Sequence, residues 1–314
     1  MLWISGFLGV ISIAVWIVWG FTLSIDFTGG TLIELSIPQS QVTAQELTTE
    51  IKKVETSLAK EFAHDQTSSG SIIADFGDPV ITPHSDSNTF SVKIKPINEQ
   101  TNTKLIEGLR TTYPTLESQK FSTIGPIMGT TLMKNSLIAL LLGCLAIIIY
   151  IAFAFRRVPK MVSSWKFGAT AILALIHDLL LVCGVFIILG KLFHVEVGTL
   201  FITALLTVLG YSVQDTIVVF DRIRENLIIK KPHETLRDIA EKSMQQTWAR
   251  SLNNSITLWL TLLSLLIVGS ESVRWFIVAL LLGTLFGTYS SIFIASPALI
   301  YWSESKNEKK AHKK

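Results

Sequence analysis

Cysteine is almost missing from this 314-residue chain: only Cys144 and Cys183 occur, both inside long apolar runs, and residues 24–125 contain none. A disulfide framework is therefore excluded, and two small apolar thiols need no role beyond filling space. Charge is also scarce, at 16% of residues against 49% hydrophobic, with a mean hydropathy of +0.48. That balance lies outside the range of soluble globular domains. His64, His84, His194, His233 and His312 are scattered, with no spacing that would gather them around an ion. Neither a phosphate-cradling glycine loop nor a nucleophile with its base is found. The sequence thus provides no reason to expect a metal, a cofactor or an enzymatic reaction, and it argues against an ATP-driven machine within this chain.

What is present is a set of apolar runs of the roughly 20-residue length that a bilayer core demands: residues 2–23, 136–155, 167–189, 199–220, 252–268 and 276–302. They predict a polytopic α-helical membrane protein with six spans. The first run has no basic leader and no small-x-small cleavage site after it, so it reads as a span and not as a removed signal peptide. Its bare start suggests a missing leader or a longer parent polypeptide.

The bases are distributed unevenly. Arg156, Arg157, Lys160 and Lys166 lie between spans two and three, seven more lie from Arg222 to Arg250, and Lys306, Lys309, Lys310, Lys313 and Lys314 fill the tail, while the opposite short loops hold only Lys191 and Arg274. The positive-inside rule then places both termini in the cytoplasm and exports the segment between spans one and two. The expected organisation is a first span at 1–23, an exported α+β domain at 24–125, a five-helix bundle at 126–302 and a basic tail at 303–314. The exported segment holds 13 acidic and 8 basic residues, so nothing in it suggests nucleic acid. The cytoplasmic bases favour an anionic bilayer surface.

Within 24–125 the pattern changes from unbroken apolar runs to alternation. Residues 31–37 read as a strand, and Thr43-Ala-Gln-Glu46 has capping-box spacing and opens a helix with Leu47, Ile51, Val54 and Leu58 on one side. Strands at 71–76 and 89–95, a helix at 99–112 and a strand at 116–124 complete β-α-β-β-α-β, the ferredoxin-like order. Leu32, Leu35, Leu47, Ile51, Phe90, Val92 and Leu109 are its expected core, and residues 66–71 and 77–88 read as loops. Gly29-Gly30 and Gly125-Pro126 frame the domain as candidate hinges, and plain turns explain them equally well. On the cytoplasmic side, residues 231–248 are amphipathic and predict a helix lying along the interface before span five.

Three polar sites fall at membrane depth: His177-Asp178 in span three, Gln214-Asp215 in span four, and Arg250 with Asn253, Asn254 and Ser255 at the mouth of span five. An ionised carboxylate there costs roughly 2.5–3.5 kcal/mol, so such residues tend to serve ion or proton traffic. Asp215 and Arg250 fall at matching depth, which predicts an ion pair, either one that a proton breaks or a permanent structural one. Asp178 is equally consistent with a structural tie between spans. Asn253, Asn254 and Ser255 read most simply as interhelical glue, and Gly283-Thr-Leu-Phe-Gly287 as a close-packing face.

Four segments together, Ile25-Asp-Phe-Thr-Gly-Gly-Thr31, Ile124-Gly-Pro126, Ala174-Leu-Ile-His-Asp178 and the 17-residue run from Gly210 to Asn226, resemble the SecD/SecF family of protein-export membrane subunits in the resistance-nodulation-division superfamily. The resemblance implies a SecF-like accessory subunit that acts with SecD. The pair would assist the SecYEG channel in moving unfolded proteins out of the cytoplasm across the bacterial inner membrane, using protons. It implies a proton pathway through Asp215 and Arg250; membrane depth alone adds Asp178 to that pathway as a candidate, with His177, Gln214, Asn254 and Ser255 as possible supporting polar residues. Gln214 and Asn254 stand where the family more often has Asn and a hydroxyl residue. A stand-alone proton-coupled exporter of small molecules, from the same superfamily, is the competing class.

Overall fold

The computed structural model describes residues 2–38, 42–64, 75–83, 89–156, 162–231 and 233–311. The chain divides into two compact units, one formed by Met1–Thr22 and Ser136–Lys314 and the other by Leu23–Asn135.

The chain opens with a long helix, α1 (Leu2–Trp19), that belongs to the larger unit. The smaller unit begins with a single turn, α2 (Ile25–Thr28), capped by the Ser24 hydroxyl, which accepts from the Asp26 amide. Strand β1 (Gly30–Ser36) follows, then α3 (Ala44–His64), β2 (Val80–Pro83), β3 (Thr89–Ile94), α4 (Glu99–Thr112) and β4 (Glu117–Ile124). The strands form one antiparallel sheet in the order β2-β3-β1-β4, the arrangement that the β-α-β-β-α-β reading implies. Helix α3 starts where its sequence says it should: the Glu46 amide is held by Thr43 Oγ1, and Glu46 Oε2 accepts from the Thr43 amide. Asn98 caps α4 by accepting from the Thr101 amide.

Two details of this unit differ from expectation. Of the strand expected at 71–76, residues 71–74 lie outside the described residues, and Asp75 and Phe76 are not in a strand. The second strand is Val80–Pro83, inside the segment read as a loop, where Ile81 faces Val92 of β3. Leu32 also leaves the core list. Strand side chains alternate faces, so Leu32 cannot share a face with Leu35; Ile33, Leu35 and Ile37 point inward against Leu47, Ile51, Val92 and Leu109.

The larger unit is helical. Among the described residues, six helices are long and apolar enough to cross a membrane: α1, α5 (Pro126–Ala154, whose first turns belong to the smaller unit), α6 (Ser164–Phe193), α7 (Thr199–Ile228), α8 (Leu236–Val268) and a last span at Glu271–Ser303. The protein is a multi-pass membrane protein. The last span comprises α9 (Glu271–Ser290), a π-helical turn at Ser291–Ala295 and the start of α10 (Ser296–Ala311). Pro297 explains this break, since it has no amide to donate and its ring crowds the turn before it.

The interfacial helix expected before span five is not a separate element. Its residues from Leu236 onward and span five form one continuous 33-residue helix, α8, which starts at a capping box between Thr235 and Asp238. The small-residue face expected in span six is present: a methyl group on Gly283 would sit 2.1 Å from Val208, and one on Gly287 would sit 3.1 Å from the Ser212 Cα. Phe155, just past α5, Phe167 of α6 and Phe220 of α7 pack ring against ring as a triad, with centroids 5.2–5.9 Å apart.

Candidate functional site: buried carboxyl groups among hydroxyls

Helical spacing carries polar side chains into the bundle. On α6 the buried stripe runs Ala171, Ala174, Leu175, Asp178, Leu181, Val182, and Asp178 occupies one of its positions. On α7 the corresponding stripe includes Val208, Ser212, Asp215, Thr216 and Val219. On α8 the buried residues climb by four, Ser243, Thr247, Ser251, Ser255, and on α9 they include Gly283, Thr284, Gly287 and Thr288.

Asp215 is 4% exposed. The hydroxyls of Ser251 on α8 and Thr288 on α9 act on its carboxyl group. Even so, Asp215 Oδ2 and Ser251 Oγ are both buried without a hydrogen-bond partner of good geometry among the described residues. A buried polar atom left in that condition costs about 1–3 kcal/mol. Beside it, Tyr211, Ser255 and Thr288 form a closed group. Tyr211 Oη lies 2.8 Å from Ser255 Oγ and 3.4 Å from Thr288 Oγ1, and Ser255 Oγ lies 2.7 Å from Thr288 Oγ1. One turn along, Trp259 Nε1 donates to Thr284 Oγ1 at 3.0 Å.

Asp178 is fully buried and differently furnished. Ser212 Oγ and Ser290 Oγ each donate to its Oδ2 at 2.6 Å, and His177 Nδ1 lies 3.1 Å from its Oδ1. His177 is largely buried, with Nε2 unpartnered among the described residues.

The expected pair between Asp215 and Arg250 is not formed. Arg250 is exposed, and the α8 residue turned towards Asp215 is its neighbour Ser251. Successive helical residues are about 100° apart, so matching depth did not ensure matching direction. Gln214 and Asn254 are likewise exposed, one position away from the inward-facing Asp215 and Ser255. Of the supporting residues, His177 and Ser255 are brought into the polar network.

Tyr211, Ser212, Ser251, Thr288 and Ser290 were not singled out by the sequence. Their signal was phase: hydroxyls recur every four residues on α8, at Thr247, Ser251 and Ser255, and again on α9, at Thr284 and Thr288. A hydroxyl both donates and accepts, so a carboxyl group in such surroundings can be served in either protonation state.

In the smaller unit, Gly29 and Gly30 have φ of 71° and 125°, which a side chain would strain. A methyl group on Gly29 would meet the Pro126 Cα at 3.0 Å, and one on Gly129 would meet the Gly29 amide nitrogen at 2.8 Å. Three of the four proposed hinge residues, Gly29, Gly30 and Pro126, are therefore parts of tight backbone packing, while Gly125 has open space around it.

A profile of the family described as protein export membrane protein SecD/SecF, C-terminal, matches residues 104–305, and one described as the SecD/SecF GG motif matches residues 17–37. The chain is 38% identical over 289 residues to the protein translocase subunit SecF of Thermobaculum terrenum, covering 91% of this chain and 86% of that protein. It is 33% identical over 298 residues to the protein translocase subunit SecDF of Thermus thermophilus, covering 94% of this chain and 36% of that one. Among solved structures, SecDF from Thermus thermophilus, described as a translocon-associated membrane protein, superposes with a TM-score of 0.72 at 31% identity, over 96% of this chain and 37% of that chain. A super-membrane-facing form of SecDF gives 0.65 at the same identity, over 99% and 38%. The chain thus spans most of the SecF relative and little more than a third of the SecDF chains.

Proposed function

The chain belongs to the SecD/SecF family of protein-export membrane proteins, and on that premise we propose that it is an accessory subunit of the Sec export machinery, working with SecD and the SecYEG channel to move unfolded proteins across the bacterial inner membrane at the expense of a proton gradient. Asp215 takes up and releases the proton. Loop charge supports cytoplasmic termini and an exported 24–125 domain, with 126–302 as the bundle and 303–314 as a cytoplasmic tail.

The observation that carries this reading is a carboxyl group 4% exposed at membrane depth, one of whose oxygens has no partner among the described residues although hydroxyls from two neighbouring helices reach towards it. One elementary charge crossing the membrane potential carries about 2.3 kcal/mol per 100 mV, enough to shift a bundle whose two states differ by a few kcal/mol. Arg250, one residue from Ser251, becomes the counter-charge of Asp215 in the alternative state, reached by its long side chain swinging inward as α8 turns. Movement passes to the exported domain through its two ends, at Gly29-Gly30 and Gly125-Pro126.

The test is protein export into inverted membrane vesicles carrying wild-type or Asp215→Asn protein, with and without a proton gradient. Asparagine keeps the shape but cannot exchange a proton, so gradient stimulation should vanish while gradient-independent export continues. Full stimulation of the Asn variant at equal expression would remove Asp215 from the proton path.

A further inference from the structure

We propose that Asp178 is a positioning residue: a fixed hydrogen-bond acceptor that sets α7 and α9 relative to α6, and through them the surroundings of Asp215, without itself carrying the proton. This rests on the reading of Asp215 as the proton-exchanging group.

The two buried carboxyl groups are built for opposite purposes. Asp178 Oδ2 accepts two hydroxyls at 2.6 Å, from Ser212 on α7 and Ser290 on α9, and Oδ1 faces His177 Nδ1 on its own helix. Its side chain is 0% exposed. Both oxygens are occupied, by groups from three helices. Among the described residues, Asp215 Oδ2 has no hydrogen-bond partner.

The donors sit where they control Asp215. Ser212 lies three residues before Asp215, so a bond that fixes the rotation of α7 at Ser212 also fixes the direction of Asp215. Ser290 lies two residues after Thr288, and two helical steps turn about 200°. Helix α9 therefore holds Asp178 with one side and presents Thr288 to Asp215 with the other. The lack of a side chain at Gly287 lets α9 close on Ser212 at this level.

An external anchor has a clear purpose here. Immediately after Ser290 the helix widens into the π turn Ser291–Ala295, where Ser296 Oγ bonds back to the Ser291 carbonyl at 3.2 Å, and Pro297 supplies no amide. The regular ladder that would fix the rotation of a helix is interrupted on that side, and the bond from Ser290 to Asp178 restrains it instead.

The experiment compares Asp178→Asn, Asp178→Leu, the pair Ser212→Ala with Ser290→Ala, and Asp215→Asn as the full chain with its export partners in inverted vesicles. Each is read as the ratio of export with and without a proton gradient at equal expression. In Asp178→Asn the new amide oxygen can accept both serine hydroxyls, and its NH2 group can donate to the other tautomer of His177. Asp178→Asn should accordingly keep at least half of the stimulation. Asp178→Leu should bring that ratio close to one, as Asp215→Asn does, while gradient-independent export falls less than twofold. The serine pair should match it, and adding Asp178→Leu to that pair should cause no further loss.

Loss in Asp178→Asn as complete as in Asp215→Asn would make Asp178 a proton carrier and overturn the proposal. Retained stimulation in both Asp178→Leu and the serine pair would overturn it too. Should Asp178→Leu not accumulate, the serine pair, which removes only two hydroxyls, decides alone. Stimulation surviving Asp215→Asn would instead bring down the proton-coupling reading, and this proposal with it.

Discussion

Gly283 of α9 lies so close to Val208 of α7 that a methyl group at position 283 would sit 2.1 Å from a γ-carbon of the valine. Val208 is buried and β-branched, so it has little freedom to turn away. Gly283→Val should lower stability by about 1–3 kcal/mol, the usual cost of overpacking. Melting of the detergent-solubilised protein checks it, and Val208→Ala in the same chain should recover part of the loss.

Arg250 is exposed and unpaired with Asp215, so no buried contact between them is broken when it is removed. Arg250→Met should leave the melting temperature near wild type, yet reduce gradient-stimulated export if the arginine serves Asp215 in a second state. A large fall in melting temperature would show that the arginine has a structural partner after all.

Val92 is fully buried in one cluster with Leu35, Phe90 and the inward faces of α3 and α4, whereas Leu32 points to the opposite face of the sheet. A buried unpaired carboxyl group costs several kcal/mol, comparable with the roughly 5–15 kcal/mol that holds a domain folded. Val92→Asp should make the unit protease-sensitive in membrane vesicles, and Leu32→Ser should not. Equal resistance of the two variants would mean that the strand register is wrong.

Acid should loosen the same unit. Hydrogen bonds from Thr43 hold Glu46 below its ordinary carboxyl range, Lys95 does the same for Asp75, and Lys52 for Asp78. Each group favours the folded state fully above its unfolded pKa, and that contribution is lost as pH falls through the lower, folded one. The groups are exposed, so the effect should be small and weakened by salt. Protease resistance measured from about pH 6 down to about pH 3, a range that brackets ordinary carboxyl titration, reads it at low and high salt.

Loop charge predicts that Lys104→Cys is labelled from outside intact cells by an impermeant thiol reagent and Lys242→Cys is not, in a background without Cys144 and Cys183. The reverse pattern would invert the topology.

The parts legible in the sequence were those written in short-range chemistry. Thr43 with Glu46 announced a helix start, and the alternation of Phe90, Val92 and Ile94 announced a strand, because each pattern is local. Val80–Pro83 escaped because four residues ending in proline look like a turn until β3 supplies their partners. Asp215 was visible as a charge in an apolar run. Ser212, Ser251 and Ser290 were not, since hydroxyls are cheap in a membrane helix and only their shared direction marks them. The outward turn of Arg250 was hidden for the same reason: depth can be counted along a sequence, but the direction a side chain faces depends on which neighbours the helix packs against.

Gly29 and Pro126 are almost a hundred positions apart in sequence, yet their backbones touch, and Gly30 pairs with Ile124 across adjacent strands. A segment that returns to its starting point can be exchanged without rerouting what lies on either side. Evolution could lengthen, shorten or replace everything between these two residues as a cassette, while the six crossings kept their connections. The same property offers an engineer a cut site: a short loop joining residue 29 to residue 126 should leave the helical bundle threaded as before, isolating proton handling from whatever the cassette contributes.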